Sequence, residues 1–294
     1  MRHALVLALI LTVAACRAPP SAPSPRQTIA LDLTHGAPLM HLAIGARAPV
    51  YAIFDTGSDL SVIDIAYARR IGLPEQGPDY IGSPLGGPRI EGFRTTIRDV
   101  TFEGVRAPAF AATAAPLDLG APLAIVSPNA FGGKWLTIDF GGSRILLDAR
   151  GAQPPEGVRS GYDSEGRLPT IAVDIGGRAI SAHLDTGSDG GLSLPYAVAA
   201  SLQFVVPPRK SGRAQSAAAQ FDVYSAQLRG DVRVGPLLLR DPEVEFFDAD
   251  SATANVGMGL LRHLQIVIDP ERKAVWTRAR TADRTPDQSH RRAN

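Results

Sequence analysis

Val50-Tyr51-Ala52-Ile53-Phe54-Asp55-Thr56-Gly57-Ser58 and Ala179-Ile180-Ser181-Ala182-His183-Leu184-Asp185-Thr186-Gly187-Ser188 are two versions of one pattern. In each, a mostly apolar run with strand character ends on Asp-Thr-Gly-Ser. One carboxylate at a strand end is poor acid–base chemistry. Two held close can share a proton, so that one serves as base while the other stays neutral and serves as acid. A single Asp-Thr-Gly-Ser is also good turn chemistry, because Asp and Ser bond nearby backbone and Gly admits unusual dihedrals. The doubling, with each copy at the end of an apolar strand, favours the paired-carboxylate reading.

The duplication extends well beyond the motif. Leu136-Thr137-Ile138-Asp139 follows the first copy and Ile266-Val267-Ile268-Asp269 the second, at equal spacing (139 − 55 = 84 and 269 − 185 = 84). Ahead of the motifs, Leu42-Ala43-Ile44-Gly45 corresponds to Val173-Asp174-Ile175-Gly176. A unit recurring at an offset of 130 (185 − 55) is too long for a solenoid repeat and large enough to hold its own small core. Two such units are expected to face each other, with one Asp from each at the shared boundary.

This arrangement resembles the aspartic protease superfamily, and its small retropepsin-type lobes more than pepsin-sized ones. There the motif is preceded by apolar residues and followed later by a glycine-bearing segment that leads into a short helix. The second half carries the whole pattern, with Asn255-Val256-Gly257-Met258-Gly259-Leu260-Leu261 as the later segment. The first half carries the Asp motif, but Ser127, followed by Pro128-Asn129, stands where the family has glycine. In the family that glycine lets the backbone cross close behind the active-site loop, so Ser127 bears on the packing of the first lobe. The resemblance spans roughly residues 28 to 278.

What the resemblance implies is an all-β protein of two homologous retropepsin-like β-barrel lobes with short helices and an active-site cleft between them. Asp55 and Asp185 become the catalytic dyad of an endopeptidase that acts on extended polypeptides. Thr56 and Thr186 tie the two loops together, Gly57 and Gly187 let backbone N–H groups approach the carboxylates, and Ser58 and Ser188 donate to their outer oxygens. Donors to the charged form lower a carboxylate's pKa, so the two serines predict activity shifted toward acid. Both lobes lie in one chain, which implies a monomer. The alternative is a two-lobe module of the cell envelope that grips a peptide without cutting it.

Composition agrees with a globular chain: 45% of residues are apolar, and 29 Gly and 24 Pro point to many turns. Among the basic residues only Lys134, Lys210 and Lys273 are lysine, and a net charge of +1 leaves no nucleic-acid footprint. The start of the chain carries an address. Met1-Arg2-His3 is followed by an apolar stretch, residues 4–15, too short to span a membrane as a mature helix, and Ala14-Ala15-Cys16 resembles a lipobox. The expected reading is a signal peptide over 1–15, cleavage before Cys16, lipidation of that cysteine, and an exported, membrane-anchored protein of the bacterial envelope that faces the periplasm. Cys16 is the single cysteine, so no intramolecular disulfide is possible. The Pro/Ser-rich stretch 16–27 reads as a tether.

The expected organisation is a first lobe over 28–150, a Pro/Gly-rich linker over 151–167, a second lobe over 168–278 and a polar tail over 279–294. Short helices are expected over 65–71, 196–202 and 260–264. Residues 81–88 and 209–220 are candidate flaps over the cleft. The six histidines fall in no metal-binding spacing, and neither a metal nor a cofactor is expected. His183 reads as a packed strand residue, and Trp135 and Trp276 as core. No Gly-x-Ser-x-Gly elbow is present for a serine hydrolase.

Overall fold

The structure is a computed structural model that describes residues 26–82, 88–148, 154–215, 220–248 and 253–280. The expected signal peptide, Cys16, most of the expected tether, the tip of the first candidate flap and residues 281–294 of the expected tail lie outside the described residues, as does the first part of the expected linker.

Each lobe is one nine-stranded sheet, and the two sheets have the same strand order. In the first lobe the order is Pro78–Ile81, Ile90–Ile97, Phe110–Ala115, Ser61–Asp64, Ala124–Val126, Val50–Phe54, Leu39–Ile44, Val100–Phe102, Val105–Arg106. In the second it is Phe204–Gln215, Gln220–Leu228, Glu243–Phe247, Leu192–Pro195, Asn255–Val256, Arg178–Leu184, Thr170–Ile175, Asp231–Val234, Leu237–Arg240. The doubled sequence is thus a doubled topology, and each motif strand lies inside its sheet with neighbours on both sides. Strand periodicity explains the packing: Ala52 and Phe54 turn inward and are fully buried, as are Ala182 and Leu184 at the matching places. Phe54 meets Phe131 edge to face at 5.9 Å, and Phe131 lies 4.9 Å from Phe102, so an aromatic cluster holds the strand directly behind Asp55.

A third sheet joins the lobes. Its order is Gln27–Ala30, Arg144–Asp148, Trp135–Asp139, Leu264–Asp269, Ala274–Ala279, Val158–Ser160, with three strands from each side of the repeat. The central pairing is antiparallel, with Ile138 opposite Ile266 and Leu136 opposite Ile268. The two segments that revealed the repeat are therefore strands that bond each other across the lobe boundary. Val158–Ser160 falls within the expected linker but pairs with Ala274–Ala279 as an edge strand.

The helices differ between lobes for local reasons. Ile65–Arg70 is an α-helix, capped by Asp64, whose carboxylate accepts the Tyr67 N–H at 2.8 Å. The second lobe has Leu194-Pro195 at the matching place, and with no side-chain cap Tyr196–Ser201 winds only as a 3₁₀ helix. The last helix is Met258–Leu261, earlier than expected, because Leu264 already begins a strand of the joining sheet. The second candidate flap lies on a long hairpin, Phe204–Gln215 against Gln220–Leu228, whose tip, 216–219, is outside the described residues.

Asp269 is fully buried in the joining sheet and accepts the Trp135 indole N–H at 2.8 Å and the Arg272 N–H at 3.1 Å. Its repeat partner Asp139 lies nearer solvent and pairs with Arg144 at 3.0 Å. Asp269→Ala removes the buried acceptor of two part-buried hydrogen bonds and is expected to cost about 2–3 kcal/mol in urea unfolding followed by tryptophan fluorescence. Asp139→Ala is expected to cost less than about 1 kcal/mol in the same measurement.

Candidate active site

The two Asp-Thr-Gly-Ser loops meet at the lobe boundary. Each Asp leaves its strand at the same point, because its backbone N–H is held from behind: Asp55 by the Val126 carbonyl and Asp185 by the Val256 carbonyl, both at 3.0 Å. The motif strand runs parallel to the segment that supplies the carbonyl, with Phe54 beside Val126 and Leu184 beside Val256.

The threonines lock the loops to each other. The Thr56 hydroxyl donates to the Leu184 carbonyl at 2.6 Å and accepts the Thr186 N–H at 3.1 Å. Reciprocally, the Thr186 hydroxyl donates to the Phe54 carbonyl at 2.7 Å and accepts the Thr56 N–H at 3.0 Å. Both side chains are buried. The glycines are needed for space: a Cβ at Gly57 would stand 2.6 Å from the Asp185 carboxyl carbon, and one at Gly187 would stand 2.8 Å from that of Asp55. Each loop thus presses bare backbone against the other lobe's carboxylate.

The Asp55 and Asp185 carboxyls face each other across the lobe boundary, each packed against the glycine of the opposite loop, and each acts on the other's ionisation. Protein surrounds them on most sides, yet both keep some solvent contact, and Gly187 beside them is exposed. Gly57 N–H donates to Asp55 Oδ1 at 2.8 Å. Gly187 N–H and Ser188 N–H donate to Asp185 Oδ1 at 2.9 and 3.1 Å, and the Asn255 side-chain NH₂ donates to Asp185 Oδ2 at 3.0 Å. Burial, then the Asp185 charge, pushes Asp55 up to about 8, against the opposing pull of the Gly57 N–H. Burial also raises Asp185, while the Asn255 amide and the Asp55 carboxyl pull it back.

The serine hydroxyls do not act as expected. Ser58 Oγ turns away and donates to the Leu60 carbonyl at 2.7 Å, and at Ser188 it is the backbone N–H that reaches the carboxylate. The expected shift of activity toward acid loses its basis, because burial dominates both carboxylates. Asn255 was the residue missed. Its signal in the sequence was a polar side chain at a strand position whose counterpart, 130 residues earlier, is Ile125.

Ser127 proves compatible with the site. In the second lobe Gly257 N–H donates to the Gly191 carbonyl at 2.9 Å, and a Cβ at Gly257 would collide with the Gly190 carbonyl at 2.6 Å. In the first lobe Ser127 N–H donates instead to the Ser61 hydroxyl at 3.1 Å, so Ser61 and Ser127 replace Gly191 and Gly257 together. The Asp55 anchor is unchanged in length. His183 is half-buried on its strand, its Nε2 3.6 Å from Asp163, and Trp135 packs 6.1 Å from Trp276 in the joining sheet. Among the described residues, no group of three or more His, Cys, Asp or Glu is arranged to hold a metal ion.

Thr56→Val keeps the shape of the side chain but removes an acceptor and a donor from a buried cross-lobe exchange. It is expected to lower unfolding stability by about 2–5 kcal/mol in urea titration. Ser58→Ala, whose hydroxyl serves only its own loop, is expected to cost about 1 kcal/mol or less.

The aspartyl protease family model matches residues 41–128 and again residues 171–262, once on each lobe. No curated protein matches the chain. The two matched segments hold both motifs, both threonines and both carbonyls that anchor the aspartates, and together they make up more than half of the sequence: the chain belongs to the aspartyl protease family.

Proposed function

We propose that this chain is an endopeptidase that hydrolyses peptide bonds of extended polypeptides with the Asp55–Asp185 pair as its acid–base dyad. The observation that carries the reading is the meeting of two half-buried carboxylates from different lobes, each against the other loop's glycine, held by the reciprocal threonine exchange. Two carboxyl groups this close cannot both ionise readily, so over a range of pH the pair holds one proton, with apparent pKa values that belong to the pair.

In the proposed reaction a water held between the carboxylates gives a proton to the ionised member as its oxygen attacks the substrate carbonyl. The protonated member donates toward that carbonyl oxygen, producing a gem-diol. Collapse of the diol breaks the C–N bond, a proton passes to the leaving amine, and the pair returns to its singly protonated state. The chain supplies the fixed geometry: the threonines and the Val126 and Val256 carbonyls hold each carboxylate in place, so little reorganisation accompanies the chemistry.

The address is part of the same proposal. Residues 1–15 act as an export signal, Cys16 carries the lipid anchor, and the Pro/Ser-rich stretch holds a monomeric enzyme off the membrane in the bacterial envelope. Among the described residues no helix is long and apolar enough to cross a membrane.

The full chain is expected to cleave an unfolded protein substrate between about pH 3 and about pH 8, with Asp55→Asn and Asp185→Asn each reducing kcat by at least about a thousandfold. Full activity in either single variant, or none in the wild type, overturns the reading. The pair also makes stability depend on pH. The folded state keeps a proton on Asp55 that the unfolded chain releases near 3.8, so the contribution of Asp55 to stability is fully present below that value and is lost as pH rises toward about 8. The thermal midpoint of the wild type is expected to drop across this window, and that of Asp55→Asn to drop less.

A further inference from the structure

The two lobes repeat each other closely, yet the two carboxylates have unlike partners. Asn255 sits beside His183 in the parallel pairing behind Asp185, and Ile125 sits at the same register beside Ile53 behind Asp55. The Asn255 NH₂ reaches Asp185 Oδ2 at 3.0 Å, and the isoleucine has nothing to donate. Asp185 Oδ1 is already taken by the Gly187 and Ser188 N–H groups. Both Asp185 oxygens therefore meet hydrogen-bond donors from their own lobe. A carboxyl proton on Asp185 would have to compete with those donors for the same oxygens, whereas a proton on Asp55 can point to Asp185. An amide NH₂ aimed at a carboxylate favours its ionised form.

We propose that Asn255 is a positioning residue that makes Asp185 the ionised, water-deprotonating member of the dyad and leaves the shared proton on Asp55. The inference rests on the endopeptidase reading for its catalytic meaning, but the placement of the proton is a property of the free protein. Two titratable groups bear on Asp185. Asp55 faces it across the lobe boundary. His183 lies two residues upstream, with Asp163 and Arg167 acting on the imidazole in turn. Burial lowers the His183 pKa, against the pull of the Asp163 and Asp185 charges, so a charged ring is disfavoured beside Asp185. The Leu184–Val256 pairing behind the motif adds no charge.

The test follows the carboxyl carbons of ¹³C-labelled aspartate by NMR in the full chain, alongside the pH profile of kcat/KM on a fluorogenic peptide. In the wild type the first ionisation on raising the pH is expected at Asp185. In Asn255→Leu that step is expected to rise by about one pH unit or more, and the acid limb of kcat/KM with it, while KM changes less than about twofold. Ile125→Asn gives the first lobe the same donor and is expected to narrow the difference between the two aspartates. The exchange of both residues, Asn255→Ile with Ile125→Asn, is expected to move the first ionisation to Asp55. First ionisation at Asp55 in the wild type overturns the proposal. So does an unshifted Asp185 in Asn255→Leu, or, should that variant not fold, an unchanged difference in Ile125→Asn. If the wild type cleaves no peptide, the endopeptidase reading fails, while the carboxyl titration still decides the assignment to Asn255.

Discussion

Two buried threonine hydroxyls, each donating to a carbonyl and accepting an N–H of the opposite lobe, are the contact on which the site depends. Each lobe has its own sheet and could bury its own apolar strands. Neither can bring a second carboxylate within bonding distance of its own. The threonine exchange does this because its partners are backbone groups of the residues flanking each Asp, so locking the loops also sets the distance between the carboxylates. The exchange leaves no buried polar group of its own unpaired, which is what allows two polar loops to meet inside the molecule. The joining sheet secures the lobes through a second set of strands. There the pairing of Trp135–Asp139 with Leu264–Asp269 carries the backbone bonding of one lobe into the other.

Within this nearly symmetric frame the departures from symmetry carry information. Some are structural compensations. Ser61 and Ser127 together replace Gly191 and Gly257, a hydroxyl accepting where a carbonyl accepts in the other lobe, and the anchor on Asp55 stays at the length of the anchor on Asp185. Asp64 caps an α-helix where Leu194 and Pro195 leave a 3₁₀ turn. Asn255 is different in kind, because it touches a carboxylate of the pair. A duplicated site with identical partners would leave its two acids equivalent, and the Asn255 amide, together with the Ser188 N–H, gives Asp185 donors beyond the one that Gly57 gives Asp55.

Much of this was legible from residue order. The equal spacing of Asp55 to Asp139 and of Asp185 to Asp269 showed two copies of one lobe, and the matching strand orders are its spatial form. The partners of the motif residues were less legible. Ser58 was expected to serve Asp55, but its hydroxyl finds the Leu60 carbonyl two residues ahead, a local bond that motif resemblance does not reveal. Val158–Ser160 looked like linker, because a short polar edge strand has no periodicity strong enough to register until its neighbour Ala274–Ala279 is in place.

The sequence by itself determined that the chain holds two all-β lobes, each with an aspartate at the end of a buried strand. Apolar alternation, turn residues and repeat spacing are all encoded along the chain. Only the tertiary structure decided that the two repeat landmarks pair with each other, that each glycine makes room for the opposite lobe's carboxylate, and that Asp185 receives a side-chain amide donor, Asn255. The first two depend on contacts between residues about 130 positions apart and the third on a contact 70 positions apart, and the direction a side chain takes over such separations is set by packing, not by residue order.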